Sequence, residues 1–184
     1  ENTTEERHGC VRVAAPDLRG LGVHAEEVDA DGSESTHRWL GGECGTRICL
    51  AADLPEGVQL TLRLLVSEVA SDAAWNELSV AFDDASPLPS RYPAWKSESD
   101  GLEYCVRFRV TRAMARRRLH VVSIDCPPAV PSTLPGASND DRALTIAVRR
   151  IELGWRPFPT PAEKLQRWVV RRWNRLQSTL RRAA

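Results

Sequence analysis

The dominant pattern along this chain is a two-residue alternation of apolar and polar positions, which predicts β-strands. Leu102, Tyr104, Val106, Phe108 and Val110 share one parity, with Glu103, Cys105, Arg107 and Arg109 between them. One face of such a strand enters a core and the other meets water. Val58, Leu60, Leu62, Leu64 and Val66 repeat the alternation after the turn signal Pro55-Glu56-Gly57, with Thr61, Arg63 and Ser67 among the intervening positions. Leu78, Val80 and Phe82 do the same and stop at Asp83-Asp84. Further strands are predicted at 10–14, 21–28, 37–41, 46–52 and 119–125.

The final strand changes phase. Leu144, Ile146 and Val148 share one parity, whereas Ile151 and Leu153 share the other. A β-bulge at Arg149-Arg150 keeps both halves facing one core; the alternative is a strand that switches its buried side between two environments. Eight or nine strands with short turns, and no crossover helix of ten residues among them, predict an all-β fold, an antiparallel β-sandwich or jelly roll. The stretch 111–118, TRAMARRR, has room for one helical turn. Pro-rich segments at 86–95 and 127–142 read as long loops at the sandwich edge, where binding residues commonly sit.

After Gly154 the composition changes. The organisation expected is a β-sandwich domain over 1–156, a Pro linker at 157–160, and a C-terminal amphipathic helix over 161–184 opened by the capping box Thr160-Pro161-Ala162-Glu163. Leu165, Trp168, Val169, Trp173, Leu176 and Leu180 form its apolar stripe.

Charge sharpens this division. The 184 residues hold 25 Lys+Arg against 25 Asp+Glu, yet residues 161–184 carry seven cations and one acid, so the body is acidic by the same six charges. Three readings of the helix stand: packing on the sandwich or a neighbouring domain, docking on an anionic membrane surface, or contact with nucleic acid, since basic charge alone suits any polyanion. Trp168, Arg171, Arg172, Trp173 and Arg175 are its candidate membrane or partner contacts. The body has no nucleic-acid signature, so nucleic acid is not expected as a partner.

No apolar run approaches the roughly 20 residues that cross a bilayer. The opening ENTTEERHG lacks the apolar stretch of a secretory signal. Five cysteines without a C-x-x-C pair favour a reducing cytoplasm. Cys10, Cys105 and Cys126 read as buried strand residues, and Cys44 and Cys49 are close enough in sequence to bridge across a turn. The expected location is cytoplasmic, at the inner face of the membrane if the helix binds lipid.

No catalytic residue is identified: there is no G-x-S-x-G elbow and no Gly-rich phosphate loop, and His120 reads as a satisfied strand histidine. No cofactor is expected. The oxygen-rich runs Asp29-Ala30-Asp31-Gly32-Ser33-Glu34 and Asn139-Asp140-Asp141 are the places a structural calcium would take, although both also read as turns. Aromatic residues are the stronger lead, since sugar rings stack on indole and phenol faces. Trp95, Tyr92, Trp39 and Trp75, with Asn76, Asp140 and Arg142 as polar partners, form the candidate carbohydrate-binding set. A salt bridge between Asp140 and Arg142 that pins the 127–142 loop is the structural reading of that pair.

Asp140, Arg142, Leu144, Ile146, Val148, Ile151 and Leu153 follow a D-x-R-x-L-x-[IV]-x-[VL]-x-x-I-x-[LV] pattern. In this the chain resembles the ending of β-sandwich modules attached to, or encoded beside, bacterial glycosyltransferases of surface-polysaccharide assembly. His37-Arg38-Trp39-Leu40-Gly41-Gly42-Glu43 with Thr46-Arg47 is similar to their opening segment, with Ile48 where a Trp is usual, and Trp75-Asn76-Glu77-Leu78-Ser79-Val80 to a central strand. The resemblance covers about 37–153. It implies a non-catalytic module that binds glycan or positions a glycosyltransferase. The alternative is a structural interaction domain whose helix docks on a partner or an anionic membrane.

Overall fold

The structure is a computed structural model that describes residues 9–28, 36–41, 45–89, 95–98, 101–130, 140–162, 168–170 and 173, with the backbone alone at 75, 95–98 and 101. Its strands are β1 (Gly9–Ala14), β2 (Gly20–Leu21), β3 (Val23–Val28), β4 (Thr36–Gly41), β5 (Thr46–Ala51), β6 (Val58–Val69), β7 (Ser79–Phe82), β8 (Trp95–Glu98), β9 (Gly101–Arg109), β10 (Leu119–Asp125) and β11 (Leu144–Pro157). Two short helices, α1 (Asp72–Glu77) and α2 (Arg112–Ala115), cap turns.

The strands form two antiparallel sheets, the sandwich that alternation predicts. One follows the order β3-β4-β11-β6-β9-β8, with β1 also on β11; the other runs β2-β5-β10-β7. The inward parity of β6 and β9 supplies Leu60, Leu62, Leu64, Tyr104, Val106 and Phe108, and the facing sheet supplies Ile48, Leu50, Val80, Phe82, Val122 and Ile124. Alternation therefore becomes a closed core between two half-buried sheets.

Nine expected strands become eleven for two reasons. The segment 21–28 divides at Gly22, whose φ of +70° lets the chain leave the four-stranded sheet and enter the seven-stranded one. A Cβ there would strike the Gly41 carbonyl oxygen. In addition, Trp95, expected at the end of the 86–95 loop, opens the edge strand Trp95–Glu98 that pairs with β9.

The phase change in β11 is a bulge. Val148 lies opposite Val66 and Arg150 opposite Leu65, leaving Arg149 as the extra residue. Ile146, Val148, Ile151 and Leu153 thus all reach the same core. The bulge has a topological use: on one side β11 runs along β6, while on the other its first half pairs with β4 and its second with β1.

Three further expectations are corrected. Trp75 to Glu77 lie in α1, not in a central strand, because Ser71 caps the helix by accepting from the Ala74 N–H; β7 behind it is a sheet edge. The linker is partly docked: Pro157 pairs with Val58, and the Arg109 guanidinium lies 5.6 Å from the Phe158 ring centroid. Cys10 is exposed, since Val11 and Val13 take the inward parity of β1; Cys105 and Cys126 are half-buried. Cys49 is a free thiol, and Cys44 lies outside the described residues.

Candidate functional site

Topology separates the expected aromatic set. Trp39 on β4 and Trp95 on β8 are four strand spacings apart across the sheet, about 19 Å. Trp39 is buried with Leu144 and Ala147, its ring edge-on to His37 at 6.0 Å, so it packs under the sheet surface and offers no open face to a sugar. Trp75 and Asn76 belong to α1, where Asn76 is exposed. Tyr92 lies outside the described residues, as do Arg171, Arg172 and Arg175.

Asp140 and Arg142 are committed to each other. Arg142 Nε and Nη2 donate to the Asp140 carboxylate, its backbone N–H donates to Asp140 Oδ1 at 3.0 Å, and Nη1 donates to Glu27 Oε1 at 2.6 Å on β3. The guanidinium therefore pins the end of the loop to a sheet edge, which leaves little of it for a ligand. Hydrogen bonds from the Arg142 side chain, then from its backbone, hold the Asp140 carboxyl down at about 2. A depressed carboxyl favours the folded state above its ordinary value of 3.8 and loses that contribution as pH falls towards 2. Hydrogen exchange is expected to show the Arg142 amide losing protection between about pH 4 and pH 2, and Asp140→Asn to remove that pH step. Unchanged protection across the range would refute the pinning.

The only His–Asp couple among the described ion pairs that is sealed on both sides is His120–Asp83. His120 Nδ1 meets Asp83 Oδ2 at 2.7 Å, Nε2 meets the Ala52 carbonyl at 3.1 Å, and both side chains are almost wholly buried. A sealed couple holds structure and cannot take a proton from a substrate. Cys105 and Cys126 have raised thiol pKa values, chiefly through burial, which keeps them protonated and poor nucleophiles. Among the described residues no three His, Cys, Asp or Glu side chains gather as a metal site requires. The 29–34 run lies outside them, and Asp140 is engaged with Arg142.

What the fold does assemble is a groove of about 600 Å³ on the outer face of the seven-stranded sheet, lined from β1, β6, β9 and β11. Register builds it in rows. Arg12, Glu152, Arg63 and Cys105 stand side by side across four strands; the next row is Cys10, Gly154, Thr61 and Arg107. Three strand spacings make each row about 14 Å long, and the rows lie about 7 Å apart. Beyond them Arg156 is opposite Gln59 and Gln59 opposite Arg109, whose guanidinium carries Phe158.

Two properties distinguish this face. The first is charge. Arg12 Nε and Arg150 Nε each lie 3.0 Å from Glu152 Oε1, and Arg63 Nη1 lies 4.0 Å from Oε2. One carboxylate, only 14% exposed, thus organises three guanidiniums, of which Arg12 and Arg63 are 68% and 51% exposed. With Arg107 and Arg156, the lining holds four arginines against one glutamate in a body whose total charge is negative. The second is the floor. Gly154 sits inside a strand, where a glycine costs about 0.5–1 kcal/mol against alanine. Its added Cβ would find no atom nearer than the Gly9 carbonyl oxygen at 4.0 Å. Packing does not demand this glycine, so its effect is to leave open space between Cys10 and Thr61.

None of these groove residues was in the expected set. Their signal is an outward-facing one: Arg63, Arg107, Arg109 and Arg156 occupy polar parities that read, strand by strand, as a solvated surface.

Trp168 and Trp173 are exposed, with Val169 and Val170 between them, and the described residues after Pro161 are helical. No helix of the described residues is long and apolar enough to cross a membrane.

No family model matches the sequence. A search of curated proteins finds no match either. Among solved structures the chain is similar to an exo-beta-1,3-galactanase from Phanerochaete chrysosporium, crystallised with beta-1,3-galactotriose, at 9% identity and a TM-score of 0.39. That alignment covers 78% of this chain and 29% of the galactanase, a likeness too slight to carry a functional argument.

Proposed function

We propose that this domain is a non-catalytic binding module for an acidic glycan, seated across the outer face of the seven-stranded sheet, and that it serves polysaccharide assembly beside a glycosyltransferase. The observation that carries the binding reading is the open floor at Gly154 beneath exposed arginines. A carboxylate or sulfate on a sugar accepts paired N–H donors from a guanidinium, each charged hydrogen bond contributing about 1.5–3 kcal/mol. Thr61 and Glu152 provide partners for hydroxyls. The trough suits one extended chain.

Retention of the chain on agarose bearing alginate or hyaluronate tests this, with dextran as the neutral control and an oligonucleotide as competitor. Binding to an acidic gel is expected to weaken with salt, and Arg63→Glu or Arg107→Glu to weaken it at least about tenfold, near 1.4 kcal/mol. Equal retention on dextran, preferential displacement by the oligonucleotide, or no effect of either charge reversal would overturn the proposal.

A further inference from the structure

We infer that the groove selects a glycan whose acidic sugars are separated by neutral ones, and that Glu152 is the residue that sets this selectivity. The inference rests on the acidic-glycan reading of the groove and adds which acidic glycans it takes.

The arginines of this face differ in what they meet. Arg12 Nε and Arg150 Nε both lie 3.0 Å from Glu152 Oε1, and Arg63 Nη1 lies 4.0 Å from Oε2. Arg107 and Arg156 are exposed and have no ion-pair partner among the described residues. The lining thus divides into a part neutralised by one carboxylate and a part with two bare cations. An anionic group gains most at a guanidinium that is not already paired. Beside Glu152 it meets a like charge that is only 14% exposed, so water and salt screen the repulsion poorly. A neutral sugar has no such penalty there. Its hydroxyls donate to Oε2, which Arg63 approaches no closer than 4.0 Å, longer than a hydrogen bond. Arg63 is the loosest of the three and, with five N–H groups, keeps donors for the ligand.

Register sets the spacing. Arg107 is one row on and two strands across from Glu152, and Arg156 is four residues further along β11. Strand geometry puts their Cα atoms about 12 and 13 Å from that of Glu152. One sugar therefore sits over the carboxylate while a different one meets the bare arginines, and only the second is required to be acidic.

Calorimetric titration of the full chain tests this with hyaluronate, which carries a carboxylate on every second sugar, and alginate, which carries one on every sugar. The parent is expected to bind hyaluronate about tenfold tighter than alginate. Glu152→Gln keeps the size of the side chain and a hydroxyl acceptor but removes the charge and releases three guanidiniums. It is expected to tighten alginate about tenfold and to move hyaluronate by less than about threefold. Damage to the fold cannot produce tighter binding. The double variant Arg107→Gln/Arg156→Gln, at two exposed positions that keep the fold, is expected to lose hyaluronate about tenfold or more. Equal affinity of the parent for the two glycans, alginate binding that a folded Glu152→Gln leaves unchanged or weakens, or hyaluronate binding that survives the double variant overturns this inference and leaves the acidic-glycan reading standing. A parent that binds neither glycan overturns that reading, and this inference with it.

Discussion

Asp83→Ala is expected to destabilise the domain by about 3–5 kcal/mol, because it takes the oxygen partner from two buried groups, the His120 ring and the Val121 N–H. Asp83 does three jobs. Its Oδ2 meets His120 Nδ1 at 2.7 Å, its Oδ1 accepts the Val121 backbone N–H at 2.9 Å, and its own backbone holds a φ of 49° between β7 and β10. His120 is fully buried, stacked on Phe82 at 5.1 Å, with its other nitrogen on the Ala52 carbonyl. The Asp83 carboxylate and the Ala52 carbonyl oxygen are thus the two oxygen partners of the ring. Alanine removes two acceptors at once and brings a residue less tolerant of the left-handed region than aspartate. Asp83→Asn separates the contributions, keeping an acceptor for Val121 and the left-handed turn while deleting the charge. Urea denaturation is expected to give a smaller loss for asparagine than for alanine, with equal slopes. Against a typical total of about 5–15 kcal/mol, the alanine variant approaches the limit of folding. A loss below about 1 kcal/mol would mean that the couple contributes nothing beyond packing.

The couple also shows what was legible in the sequence. His120 is recognisable as a strand histidine on the inward parity of a predicted strand, but its partner is not, since Asp83-Asp84 looks like an ordinary turn after Phe82. Parity within a strand is local and survives folding: β6, β9 and β10 follow from spacing alone, whereas the phase change in β11 is equally compatible with a bulge and a switch of buried side until its partner β6 is known. Changes of sheet are not local. Gly22 splits one apparent strand because of where Gly41 lies, and β8 exists because β9 offers an open edge to a segment rich in proline. At α1 the short cap signal Ser71-Asp72 is outweighed by the stronger strand signal of Leu78, Val80 and Phe82.

The candidate site was illegible for the same reason. Its rows join β1, from the start of the chain, to β11, from near its end, with β6 and β9 alongside. Each strand contributes one or two outward arginines, unremarked singly; only strand order converts them into a basic trough. Aromatic residues misled because a large indole serves a core as readily as a sugar, and Trp39 serves the core.

Gly154→Leu is expected to move stability and binding in opposite directions, an outcome few substitutions produce. Most changes in a strand interior destabilise, and a dead variant is then merely an unfolded one. Here the added Cβ meets nothing within ordinary contact, the nearest atom being the Gly9 carbonyl oxygen at 4.0 Å, and the position carries no left-handed φ. Replacing a strand glycine there recovers about 0.5–1 kcal/mol of conformational entropy, so the urea midpoint should hold or rise. The leucine side chain leaves the sheet between Cys10 and Thr61 and fills the floor on which the proposed glycan lies. A ligand lifted off that floor loses its short contacts with Arg63 and Arg107 together. Two charged hydrogen bonds at about 1.5–3 kcal/mol each would cost about a hundredfold or more in Kd for alginate. Calorimetric titration and urea denaturation on the same preparation provide both readings. Neighbouring Gly9 supplies the control, since a Cβ at that position collides with the Trp155 ring and Gly9→Ala should lose stability. A folded Gly154→Leu variant that binds alginate as tightly as the parent would remove the groove as the site, whatever the arginine variants do.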